Sequence, residues 1–90
     1  MDYQITERST RLEPRYPNQI RRYRIQVGLS QKALGRKLGR TRNAVSSWER
    51  GQTFPRGITI LRLAKHLDTL VETLYWDLYA ADRFFEEDAA

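Results

Sequence analysis

Between Gly28 and Gly51 the chain is punctuated so closely that only two short helices joined by a tight turn fit. Ser30 is a residue type that caps helix N-termini, and Leu34 and Leu38, four apart, mark one buried stripe. Gly39 then stands where a helix commonly ends on a left-handed residue. Only Arg40 separates it from Thr41, a second N-cap, which opens a helix running to Arg50 and stopping at Gly51.

The flanks extend this into an all-α chain of five helices with no strand. Asn18 reads as the N-cap of a first helix, with Ile20, Tyr23 and Val27 on one face and Gly28 as its end. After a loop containing Pro55, the residues Ile60, Leu63, Ala64 and Leu67 mark a fourth helix that breaks at Asp68 and Thr69. A long fifth is expected from about Val71 to about Phe85, with Leu74, Leu78 and Phe85 on one stripe and Tyr75 and Tyr79 alongside. Residues 1–16 lack apolar periodicity, and Pro14 and Pro17 bracket Arg15 and Tyr16, so this part reads as an extended arm. The expected organisation is an arm over 1–16, a helical domain over 17–75 and an aromatic, then acidic, extension over 76–90.

Ninety residues hold one such domain. There is no Cys and a single His66, which excludes a disulfide framework and a zinc cluster. No nucleophile with a base and no phosphate loop is present, so catalysis is not expected. With no long apolar run and no signal-peptide core in MDYQITERSTR, the chain is expected to stay in the cytosol, away from the membrane.

Charge is segregated along the chain. Residues 17–67 hold twelve Lys or Arg and one acid, whereas residues 68–90 hold one Arg and seven acids. A positive field confined to one part of a molecule is the footprint of a nucleic-acid partner, and a solvated basic surface without a partner is the alternative.

The third helix divides by its 100° repeat into two arcs. Thr41, Ala44, Val45, Trp48 and Glu49 share one, suited to a core; Arg42, Asn43, Ser46, Ser47 and Arg50 share the other. The polar arc matches what base edges in a major groove require: Arg for guanine, Asn for adenine, Ser for base or phosphate. Trp48 falls on the inward arc, which argues against base stacking on RNA, whose major groove is too narrow for side chains to read. Glu49, the lone acid of the basic segment, lies on the inward edge beside Trp48. The same wheel puts Arg24 of the first helix on its inward edge, so the two are expected to meet; the alternative is a surface carboxylate bonded to Arg50 or Arg42.

The run SQKALGRKLGRTRNAVSSWERGQTFP, with RIQVGLSQ overlapping its start, resembles the helix-turn-helix of the phage repressor and Cro superfamily, also called the XRE family. Gln31, Leu34, Gly35, Leu38, Gly39, Val45, Trp48, Glu49 and Gly51 fit its pattern over about residues 18 to 75. The resemblance implies a five-helix, lambda-repressor-like domain and a helix-one Arg, here Arg24, paired with Glu49. It further implies double-stranded DNA as the partner. Arg42, Asn43 and Ser47 would read bases with Ser46 nearby, and Gln31, Lys32, Arg36, Arg40, Arg50 and Arg56 would lie on the DNA backbone, Arg56 alternatively in the minor groove. Two residues depart from the family's habit: Gly35 replaces an Ala, and Leu70 stands where a polar cap often precedes the fifth helix.

Two functions share that DNA surface. One is a Cro-like repressor or controller that binds a palindromic operator as a homodimer; the other is an antitoxin that binds a toxin protein and regulates its own synthesis. A self-complementary patch is expected at Trp76, Tyr79, Phe84 and Phe85, where apolar surface exceeds what the core needs and the acids Asp77, Asp82, Glu86 and Glu87 keep phosphate away. Those aromatics folding back onto their own domain is the remaining alternative. Arg8, Arg11 and Arg15 in the arm are candidates to follow DNA.

Overall fold

The computed structural model describes residues 14–81. Within them lie α1 (Ile20–Gln26), α2 (Gln31–Leu38), α3 (Arg42–Glu49), α4 (Ile58–His66) and α5 (Val71–Leu74). Residues 76–81 are helical again, and there is no strand among the described residues. The fold is the all-helical one expected.

Local chemistry sets the ends of α2 and α3. The Ser30 hydroxyl accepts the Ala33 N–H at 3.0 Å and the Thr41 hydroxyl accepts the Ala44 N–H at 3.1 Å, each satisfying one of the donors a helix start leaves open. Gly39 closes α2 in the left-handed region at φ 66°, and the Arg40 N–H turns back to the Gly35 carbonyl at 2.8 Å. Only three residues, Gly39, Arg40 and Thr41, therefore separate the two helices, which leaves little freedom in their angle.

Gly35 is a matter of space in this turn. A Cβ there would stand 2.8 Å from the Arg40 carbonyl oxygen and 3.1 Å from the Thr41 carbonyl, both backbone atoms. Helix propensity alone favours Ala over Gly by about 1 kcal/mol. Overpacking against backbone costs about 1–3 kcal/mol and acts the other way. Gly35→Ala is accordingly expected to lower the midpoint of urea unfolding rather than raise it; a higher midpoint would show that the turn gives way freely.

The core takes Ile20 from α1, Leu34 and Leu38 from α2, Val45 and Trp48 from α3, Leu63 and Ala64 from α4, then Leu67, Leu74 and Tyr75, all buried. Full burial of such a side chain is worth about 1.5–3 kcal/mol. Pro55 is also fully buried, and Tyr16 and Phe54 pack on the cluster from outside the helices. The rings of Tyr16 and Phe54 lie 5.6 Å apart and those of Phe54 and Tyr75 4.7 Å apart, so arm, loop and C-terminal segment share one aromatic column.

Several boundaries differ from the sequence reading. α1 begins at Ile20, one residue later than a cap at Asn18 implies, although the Asn18 side-chain oxygen still accepts the Ile20 N–H at 3.0 Å as a cap does; its amide donates at the same time to the Trp48 carbonyl at 2.7 Å and to the Tyr16 carbonyl at 2.8 Å. Val27 follows α1 as its C-cap and is exposed rather than turned to the core. The continuous fifth helix is interrupted at Tyr75, whose backbone (φ −120°, ψ 43°) is not helical. This break turns the Tyr75 ring into the core, at 3 % exposure, where a straight helix would carry it alongside. Leu70 precedes α5 with no side-chain cap and lies exposed. The expected course of that helix to Phe85, and residues 1–13 of the arm, lie outside the described residues.

Candidate nucleic-acid interface

α3 presents its polar arc outward because its apolar arc is used. Val45 and Trp48 are buried, Ala44 is half-buried, and Arg42, Asn43 and Arg50 are exposed. Ser46 and Ser47 are half-buried and already engaged: Arg50 donates to the Ser46 hydroxyl at 2.9 Å, and the Ser47 hydroxyl pairs with that of Thr53 at 2.8 Å. Arg42 and Asn43 are thus the two side chains of this arc that extend to solvent without a hydrogen-bond partner among the described residues. The guanidinium of Arg40 lies over the Trp48 ring, 5.7 Å from its centroid, which fixes a cation beside the helix.

Glu49 is turned inward, its side chain only 5 % exposed, and Arg24 is 11 % exposed. Arg24 Nε donates to Glu49 Oε2. Arg24 Nη2 reaches Oε1 at 3.3 Å, and Gln31 Nε2 donates to the same oxygen at 2.9 Å. A further Arg24 N–H goes to the Leu29 carbonyl at 2.8 Å. α1, the start of α2 and the end of α3 are joined through one carboxylate. The position of Gln31 was legible from its place at the start of α2, but this bond was not: the side chain assigned to phosphate is held by Glu49.

Two basic clefts flank the outward face of α3. One, of about 610 Å³, is lined by Arg21, Arg24, Ser30, Gln31, Lys32 and Arg42. The other, of about 530 Å³, is lined by Arg40, Ala44 and Trp48 with Arg15, Tyr16, Phe54 and Arg56; Ala44, two residues on from Arg42, borders the polar arc of α3 at its other edge, so the two clefts fall on opposite flanks. Lys32, Arg36, Arg40 and Arg56 are all exposed. Arg15 and Arg21 are members of these clefts that motif reasoning either left in the arm or passed over; a helix wheel of α3 alone carries no information on either.

Trp76 and Tyr79 are 49 % and 42 % exposed, with rings 5.6 Å apart, on the helical turns that follow the Tyr75 break. Phe84 and Phe85 lie outside the described residues. His66 is half-buried; burial, then the cations Lys37, Arg62 and Lys65, push its pKa below the ordinary value. No group of metal-binding side chains occurs among the described residues, and no helix among them is long and apolar enough to cross a membrane.

A recognition-type helix reached through a three-residue turn, braced from inside by an ion pair and flanked by cations, is the arrangement of a helix-turn-helix DNA-binding protein. The sequence profile of the helix-turn-helix family matches residues 20–74, and the chain belongs to that family of DNA-binding transcription regulators. It is 30 % identical over 59 residues to the uncharacterized HTH-type transcriptional regulator YgzD of Bacillus subtilis (strain 168), covering 66 % of this chain and 89 % of that one. Among solved structures it is similar to the restriction-modification controller protein C.AhdI from Aeromonas hydrophila, at 37 % identity and a TM-score of 0.57, over 63 % of this chain and 83 % of the controller.

Proposed function

We propose that the protein is a sequence-specific regulator of Cro-like repressor or controller type, acting in the cytoplasm as a homodimer on a palindromic operator. The observation that carries this is the pair of basic clefts on either flank of α3. A helix lying in a major groove about 12 Å wide has a phosphate backbone on each side, and cations on both flanks of the helix answer both. Arg42, Asn43, Ser46 and Ser47 face the base edges in this reading, and for the two serines a base must displace Arg50 or Thr53. Lys32, Arg36, Arg40, Arg50 and Arg56 meet phosphates. Gln31 joins them only by leaving Glu49, so its first task is to hold that carboxylate.

One recognition helix per chain makes a dimer the economical reader of two half-sites about one helical turn apart. The exposed pair Trp76 and Tyr79 is the surface assigned to it, with Phe84 and Phe85 beyond. Similarity to a restriction-modification controller supports this form over the toxin-binding one.

The test is a titration of a duplex selected by the protein from a random pool, alongside its single-base-pair variants. Arg42→Ala is expected to cost about 1–3 kcal/mol on the selected duplex and to relax preference at one base pair. An equal loss on every sequence would make Arg42 a phosphate contact. The same samples in sedimentation velocity should show two chains per duplex.

A further inference from the structure

The segment ahead of α1 is fastened to the C-terminal end of α3 through its backbone. The N–H groups of Arg15 and Tyr16 both donate to the Gly51 carbonyl at 2.9 Å. Asn18 adds its bond to the Trp48 carbonyl and steadies the strap through the Tyr16 carbonyl. The Gly51 carbonyl lies just past the end of α3, and the Trp48 carbonyl in its last turn also accepts the Gly51 N–H at 2.9 Å, so the strap adds its bonds to the turn that closes the helix. Gly51 is shaped for this contact: a Cβ there would stand 2.5 Å from Pro14 Cβ and 2.9 Å from the Tyr16 oxygen.

The strap decides where Arg15 stands. Its exposed side chain lines the same cleft as Arg40 and Arg56, together with the aromatic residues Tyr16, Trp48 and Phe54. No carboxylate is among the described residues that line it. Three like charges gathered without a counter-charge repel one another unless an anion joins them. Arg15 precedes the span the family profile matches, which begins at residue 20, and it is the strap's backbone bonds that bring it to the cleft.

We propose that this cleft seats a phosphate of the DNA backbone, and that the strap over residues 14–18 serves to hold Arg15 there as a fixed third cation. The proposal rests on the reading of the protein as a DNA-binding regulator. Asn18 is then a positioning residue, acting through Arg15, and touches no DNA itself.

The experiment compares full-length wild type, Arg15→Ala and Arg15→Lys on the selected duplex and on an unrelated duplex across a salt series. Arg15→Ala should weaken both duplexes severalfold by the same factor and reduce the salt slope by about one per chain. Arg15→Lys should restore the slope. Asn18→Ala should weaken binding in the wild-type background and add little once Arg15 is gone. Unchanged affinity and slope for Arg15→Ala would overturn the proposal, as would a loss confined to one base-pair preference. Inorganic phosphate at constant ionic strength should leave duplex affinity unaltered; competition by it would reassign the cleft to a free anion and overturn the backbone seat. A wild type that failed to distinguish the two duplexes would instead remove the sequence-specific reading, while the slope comparison would still decide the role of Arg15.

Discussion

Glu49→Gln is expected to destabilise the protein by about 3–5 kcal/mol and to lower its melting temperature by at least about 12 °C. The carboxylate accepts from Arg24 Nε, Arg24 Nη2 and Gln31 Nε2. An amide of the same size offers one oxygen, so its NH₂ must face a donor and the Arg24 cation stays almost buried without a counter-charge. DNA binding should fall only as far as α3 is misplaced. Pairing Glu49→Leu with Arg24→Met should recover much of the loss, because removing both charges leaves no orphan. A single variant that melts within a degree or two of wild type would mean that water reaches the pair freely and that α3 is held by apolar packing alone.

Gly51→Ala should be the second most damaging single change. Gly51 sits at φ 74°, where an L-residue costs about 1–2 kcal/mol more than Gly. The added methyl also meets the Pro14 ring and the Tyr16 backbone, and overpacking of this kind costs about 1–3 kcal/mol more. Two relaxations are open, and they differ in what they disturb. If the strap yields, the amides of Arg15 and Tyr16 lose the Gly51 carbonyl and exchange with deuterium much faster, while those of α3 keep their protection. If the end of α3 yields, protection falls at Trp48 and Glu49 as well. Wild-type stability together with wild-type exchange at residues 15 and 16 would contradict the close contact itself.

The parts of this fold that could be read from the chain are those whose causes are local. Ser30, Gly39 and Thr41 act within four residues of themselves, and their spacing is enough to place α2, the turn and α3. The 100° repeat sorts α3 into inner and outer arcs for the same reason, and it puts Arg24 and Glu49 on inward edges without any knowledge of distance. What was hidden depends on partners far along the chain. Asn18 is a good cap by residue type and its oxygen does accept the Ile20 N–H, but its amide also answers the Trp48 carbonyl thirty positions away, which nothing local signals. The repeat from Leu74 through Leu78 continues smoothly across Tyr75, so the break there has no periodic signal; burying the ring beside Phe54 decides it. Arg15 belongs to a cleft only because Gly51 takes the strap, and no pattern within residues 1–16 points to Gly51.

The Gln19 N–H donates to the Leu74 carbonyl at 2.8 Å. The family profile covers residues 20–74, so this one bond ties the residue just before the matched unit to its last residue. A unit whose entrance and exit are adjacent can be set into another chain at almost any surface loop, or doubled in tandem, without stretching either junction. The same closeness means that segments attached at the two ends start out as neighbours, so each constrains what the other can carry.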